Sequence, residues 1–217
     1  MARKIFIGDI HWCWDELQIL LKRLNVSEQD ELYFTWDYFT KGPKPVEVAQ
    51  TILNCKAKVY WVQGNQDLVL REILEGKRPL GSLEGNLEIV EWFKANPEAL
   101  RWFQNLPLIL ERDDFILVHA WIDPSKPLDQ QDVETLVTVR DWWKGYTWSK
   151  TVVFGHDAAQ GLVRTQNVIW IDTGCVYGAY LTGVVWESGE IYQVTALDYY
   201  TLADKQKRRQ RILLKET

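Results

Sequence analysis

Short apolar runs that end in small or polar residues recur along the chain, at Lys4 to Gly8, Glu31 to Trp36, Ala57 to Gln63, Phe115 to His119, Thr151 to Gly155 and Val168 to Asp172. Their length and their β-branched and aromatic content predict strands. After the first comes Asp15 to Leu24, with leucines at 17, 20, 21 and 24 in helical spacing, and after the second comes Pro45 to Leu53. The order is therefore β-α-β-α. Ile5-Phe6-Ile7 and Val152-Val153-Phe154 show no polar alternation, which suits strands buried on both faces in a mixed sheet covered by helices or by a second sheet. From Leu68 to Leu106 the pattern is helical, with Glu88 to Lys94 and Pro97 to Asn105 bracketed by Gly85 and Pro107. This predicts a helical insertion over about residues 68–106. Leu181 to Trp186 and Ile191 to Thr195 flank Glu187-Ser188-Gly189-Glu190, a hairpin turn. The last stretch, about 204–217, is a basic run ahead of Ile-Leu-Leu and reads as a solvated tail or a basic amphipathic helix.

A chain of 217 residues with this element order fits one α/β domain, 1–217. Hydrophobic residues at 47% and charged residues at 25% describe a folded globule rather than a disordered chain. The net charge of −5 gives no general attraction to polyanions, so neither nucleic acid nor an anionic membrane is expected as a partner. No run approaches the length of a membrane span, and Met-Ala-Arg-Lys leads straight into a strand, so a cytoplasmic protein is expected. Cys13, Cys55 and Cys175 are widely separated and lack the spacing of a disulfide framework, which fits a reducing compartment. Twelve tryptophans are more than a domain of this size usually carries, and each indole N–H wants a partner.

All three histidines stand at strand ends, as His11, His119 and His156, with Asp9, Asp37 and Asn65 at the ends of neighbouring strands. Ligands of α/β sheets bind beyond the carboxyl ends of strands, so these six side chains can converge on one crevice. Imidazole and carboxylate are donors for zinc, iron and manganese, and a carboxylate can bridge two cations.

Gly8-Asp9-Ile10-His11, Trp36-Asp37 through Lys41-Gly42-Pro43, Gly64-Asn65-Gln66-Asp67, His119-Ala120 and Gly155-His156 together resemble the ordered blocks of the calcineurin-like metallophosphoesterases. The likeness is to the small bacterial and phage protein phosphatases and the diadenosine tetraphosphate hydrolases. Ile171 to Gly178, followed by Leu181-Thr182, is similar to the closing strand and loop of that group. The resemblance implies a four-layer α/β/β/α sandwich of two mixed sheets flanked by helices. It implies two divalent metal ions, manganese first, with iron or zinc as alternatives. One would be held by Asp9, His11 and the shared Asp37, the other by Asp37, Asn65, His119 and His156. Phosphoester or phosphoanhydride hydrolysis by a bridging hydroxide follows, on a phosphorylated small molecule, a nucleotide or a phosphoprotein. Oligomeric state is left open.

Two departures change the expected chemistry. Where the family pairs a histidine and an aspartate beside the leaving group, this chain has Gln66 and Thr40. An amide has no proton to give near neutral pH. Lys41 stands for the family's arginine and loses the bidentate grip on phosphate, while Arg140 is spaced to supply one. Trp12, Trp36 and Trp121 stand where the family usually has glycine. They either line a substrate pocket, where a nucleobase could stack, or turn away and fill the core. An active hydrolase is thus one reading. The alternative is an impaired or engineered phosphatase fold that binds metal and a ligand through a tryptophan-rich pocket.

Overall fold

The computed structural model describes residues 2–35, 37, 41–83, 87–140 and 149–201. The first half runs β1 (Lys4–Ile7), α1 (Trp14–Arg23), β2 (Glu31–Phe34), α2 (Pro45–Leu53), β3 (Lys58–Trp61), α3 (Asn65–Leu74), α4 (Glu88–Ala95) and α5 (Pro97–Gln104). The second runs β4 (Ile109–Glu111), β5 (Phe115–Val118), α6 (Val133–Thr138), β6 (Thr151–Phe154), β7 (Val163–Arg164), β8 (Val168–Trp170), β9 (Tyr180–Val185) and β10 (Ile191–Thr195). Between β3 and β4 the described residues form no strand. Pro45 and Pro97 each open a helix, where the missing N–H costs nothing and the fixed φ is already helical. Pro97 also ends α4, because the residue before a proline is pushed out of helical backbone; Asn96 sits at φ −124° and ψ 79°.

The strands form two five-stranded mixed sheets, in the orders β10-β9-β1-β2-β3 and β4-β5-β6-β8-β7. In the first, β1, β2 and β3 are parallel and β9 and β10 antiparallel. In the second, β5, β6 and β8 are parallel and the edge strands β4 and β7 antiparallel. Each sheet therefore sends three adjacent strand ends in one direction, the arrangement that makes a crevice.

Period-two alternation explains how the layers meet. Phe115 and Leu117 of β5 join the large core shared with β1 and β2, whereas Ile116 and Val118 join a second cluster with Leu136 and Val137 of α6. Successive strand side chains point to opposite faces, so an unbroken apolar run means that both faces are covered. The sheets touch through aromatic contacts. Phe6 meets Phe115 edge to face at 4.8 Å, and Tyr33 meets Phe115 at 5.0 Å. Burying each such ring contributes about 1.5–3 kcal/mol. On the outer face of the first sheet α1 packs against β9 and β10, with Leu17 and Leu20 fully buried.

Candidate metal centre and active site

The six candidate ligands sit just past the ends of five strands. Asp9 and His11 follow β1, Asp37 follows β2, Asn65 opens α3 after β3, His119 directly follows β5, and His156 follows β6. Asp37 lies at the centre. Its Oδ2 is 3.8 Å from His11 Nε2 and its Oδ1 is 3.8 Å from His119 Nε2. Asp9, His11 and Asp37 each offer a donor atom within 4.8 Å of the others, and so do Asp37, His119 and His156. His119 Nε2 is also 3.0 Å from Asn65 Oδ1 and 3.0 Å from His156 Nδ1.

The backbone bends hard to bring these groups together. His11, Asp37, Lys41 and His156 have φ of 45°, 50°, 76° and 74°, left-handed backbone that costs a side-chain-bearing residue about 1–3 kcal/mol. Gly64 and Gly155 give the carboxylates room. A Cβ on Gly155 would collide with Asp9 Oδ1, and one on Gly64 with Asp37 Oδ1.

Proton placement shows that these residues fit a cation. His119 Nδ1 faces the Thr35 carbonyl at 3.2 Å and His156 Nε2 faces the Thr138 carbonyl at 3.1 Å. A carbonyl only accepts, so those nitrogens carry the protons and His119 Nε2 and His156 Nδ1 present lone pairs. Arg140 Nε approaches His156 Nε2 at 3.4 Å, but the shorter carbonyl contact decides the tautomer. The two nitrogen lone pairs, on His119 Nε2 and His156 Nδ1, then face each other at 3.0 Å with no hydrogen between them. A cation reconciles that geometry, and the carbonyls behind the rings are the usual device for aiming histidine ligands.

Charge tells the same story. Burial holds His119 and His156 neutral, lowering them to about 3 and about 4. Asp9 is pushed well up by burial, then by the like charges of Asp172 and Asp37. Asp172 is raised to about 7, chiefly by burial, with Asp37 adding to it. Three buried carboxylates beside neutral imidazoles form a site short of positive charge, which bound cations offset. Asp9 is held from both sides, Oδ1 accepting from Thr35 Oγ1 and Oδ2 from the His156 amide, each at 3.1 Å.

The remaining candidates divide. Gln66 is half-buried beside the centre, and its backbone N–H donates to Asp37 Oδ1 at 3.1 Å. Lys41 Nζ donates to Tyr177 Oη at 2.7 Å and lies 5.2 Å over that ring, which itself stands 6.4 Å from His11. Arg140 is exposed beside His156, with Nη1 3.8 Å from Asp157. Trp36 and Thr40 lie outside the described residues. The pocket-lining expectation for Trp12 and Trp121 is corrected. Trp12 is 0% exposed in the main core, and Trp121 is 2% exposed against Phe154 at 5.1 Å. Trp12 has φ 63°, so the position suits glycine for its backbone, and the indole buries itself at the cost of strain. Sequence reading missed Thr35 and Thr138, because the groups they contribute to the histidines are backbone carbonyls that any residue carries.

Carboxylates and imidazoles gathered at the ends of strands in a two-sheet sandwich fit a metal-dependent hydrolase of phosphoesters or phosphoanhydrides. Residues 2–178 match the calcineurin-like phosphoesterase family, and the chain belongs to it. A symmetrical bis(5'-nucleosyl)-tetraphosphatase of Vibrio parahaemolyticus is 28% identical, over 88% of this chain and 98% of the relative. A crystal structure provisionally named a diadenosine tetraphosphatase superposes with a TM-score of 0.76 at 26% identity, covering 91% of this chain and 95% of that one. A metallophosphoesterase from Sphaerobacter thermophilus shares the fold, with a TM-score of 0.59 at 14% identity over 97% and 94% of the two chains. Among the described residues no helix is long and apolar enough to cross a membrane.

Proposed function

We propose that the chain cleaves a phosphoanhydride bond of a nucleotide, in the class of dinucleoside polyphosphates, at a dinuclear metal centre. One cation is held by Asp9, His11 and Asp37 and the other by Asp37, Asn65, His119 and His156. The observation that carries this reading is Asp37, whose two oxygens face histidines of two different donor sets at equal distance. Divalent cations held there, manganese foremost, would supply an acidified water as nucleophile and neutralise charge on the phosphoryl oxygens.

The chain's own residues orient the ester and choose the leaving group. Arg140, exposed next to His156, offers a guanidinium fork to a phosphate. Lys41, carried with Tyr177 beside His11, adds a second positive charge for a polyphosphate. Gln66 can donate a hydrogen bond but not a proton, so an alkoxide leaving group receives no general acid from it. A nucleoside di- or monophosphate leaves readily without one. That difference favours an anhydride over a phosphoserine, and a relative named as a symmetrical bis(5'-nucleosyl)-tetraphosphatase supports a nucleotide anhydride as the substrate. The tryptophan-pocket alternative loses two of its three indoles to the core.

Purified protein with manganese should hydrolyse diadenosine tetraphosphate, with nucleotide products resolved by chromatography, faster than a phosphoserine peptide or an alkyl phosphate. Faster turnover of the phosphopeptide would contradict the proposal.

A further inference from the structure

Three buried side chains that this reaction does not use meet next to the His11 loop. Cys13 immediately precedes α1, Glu16 lies in its first turn, and Cys175 lies between β8 and β9. One donor atom from each lies within 4.8 Å of the other two. Their exposures are 0%, 0% and 1%. Glu16 Oε1 accepts from the Leu197 amide at 2.7 Å and from Tyr200 Oη at 2.8 Å. Its Oε2 is equally buried and has no hydrogen-bond partner among the described residues. A buried carboxylate oxygen without a donor is expensive, and this one is grouped with two sulfurs.

We propose that Cys13, Glu16 and Cys175 form a second metal site, for zinc or another thiophilic divalent cation. Two thiolates and a carboxylate are a zinc-type donor set, chemically distinct from the nitrogen and oxygen donors around Asp37. Binding one divalent cation releases the two thiol protons to solvent and changes no oxidation state. A Cys13–Cys175 disulfide would need an added oxidant such as a peroxide and would still leave Oε2 unsatisfied. The metal accounts for all three groups. It ties the loop carrying His11 to the segment that follows Asp172 and, through Glu16, to the Leu197–Tyr200 stretch. It therefore fixes the position of His11 without touching substrate.

The test is a cobalt titration of the full chain after chelation, read by the thiolate-to-cobalt charge-transfer absorption in the near ultraviolet, which the Asp37 centre cannot produce. The band is expected in the wild type, in Asp37→Asn and in Cys55→Ser. It is expected to vanish in Cys13→Ser and Cys175→Ser, with circular dichroism reporting whether each variant is folded. Should the serine variants not fold, the wild type still decides. Its band must then grow in step with cobalt and saturate at the intensity of two thiolate ligands on one cobalt per chain. A folded wild-type chain that takes up cobalt with no charge-transfer band overturns the proposal, as does a Cys13–Cys175 disulfide in freshly purified protein.

Discussion

Asp37 occupies backbone that side-chain-bearing residues avoid, and its reward is a carboxylate whose two oxygens face His11 and His119. That placement needs the space left by Gly64, as the placement of Asp9 needs the space left by Gly155. Gly155→Ala would drive a methyl group into Asp9 Oδ1. We expect it to fold but to bind manganese about 10- to 100-fold more weakly, as when the groups that orient a metal ligand are disturbed, measured by calorimetric titration. Gln66→His should raise the rate on alkyl phosphates by up to about 10²-fold, the lower range for general acid catalysis, while leaving anhydride cleavage nearly unchanged; equal gains on both substrates in steady-state assays would show that leaving-group protonation is not what position 66 controls. The gathering of these candidate side chains in one place was legible because all three histidines and their acidic neighbours end strands. The direction of Trp12 was not. Which way an indole turns depends on the volume free inside the core, and Trp12 at φ 63° faces inward where glycine would face nothing.

The elements themselves were largely readable. α2 spans the predicted Pro45–Leu53, and the predicted hairpin is the antiparallel pair of β9 and β10. The strands β4 and β7, three and two residues long, carry too little pattern to announce themselves and exist because an edge of the sheet is there to pair with. Short tethers also decide where elements begin. Asp30 is 1% exposed at the start of β2, where Oδ2 accepts from Arg3 at 2.7 Å and from the Ser27 amide at 2.8 Å. The Arg3 contact, with the Ser27 amide behind it, holds this carboxyl well below the usual range. Its contribution to stability is present above the ordinary carboxylate pKa and is lost as pH falls through the depressed value. Asp30→Asn should cost about 2 kcal/mol at neutral pH, the worth of hydrogen bonds to a charged group. In urea melts the gap to wild type should shrink below about pH 3. A gap that persists unchanged in acid would show that packing, not charge, is what the substitution removes.

At the scale of the molecule, the two sheets contribute unequal parts of one centre. The first brings Asp9, His11, Asp37 and Asn65 and the second brings His119 and His156, so the centre exists only when the sheets are docked. Divalent metal should therefore stabilise the whole fold, by about 2.7 kcal/mol at a hundredfold excess over its dissociation constant. The expected signature is a melting temperature that rises with manganese in the wild type and not in Asp37→Asn. The unbroken apolar runs of strands such as Ile5-Phe6-Ile7, with helices between them, made a layered α/β fold legible, but the pairing of two sheets face to face rests on contacts such as Phe6 with Phe115, which join residues far apart in sequence and leave no periodic trace. The most direct test of the dinuclear assignment is manganese stoichiometry measured together with diadenosine tetraphosphate hydrolysis, for wild type and Asp37→Asn. The account predicts two manganese ions per wild-type chain, and loss of both full occupancy and turnover when the shared carboxylate is removed. A wild-type chain that works with a single manganese, or an Asp37→Asn chain that hydrolyses the substrate at the wild-type rate, would contradict it.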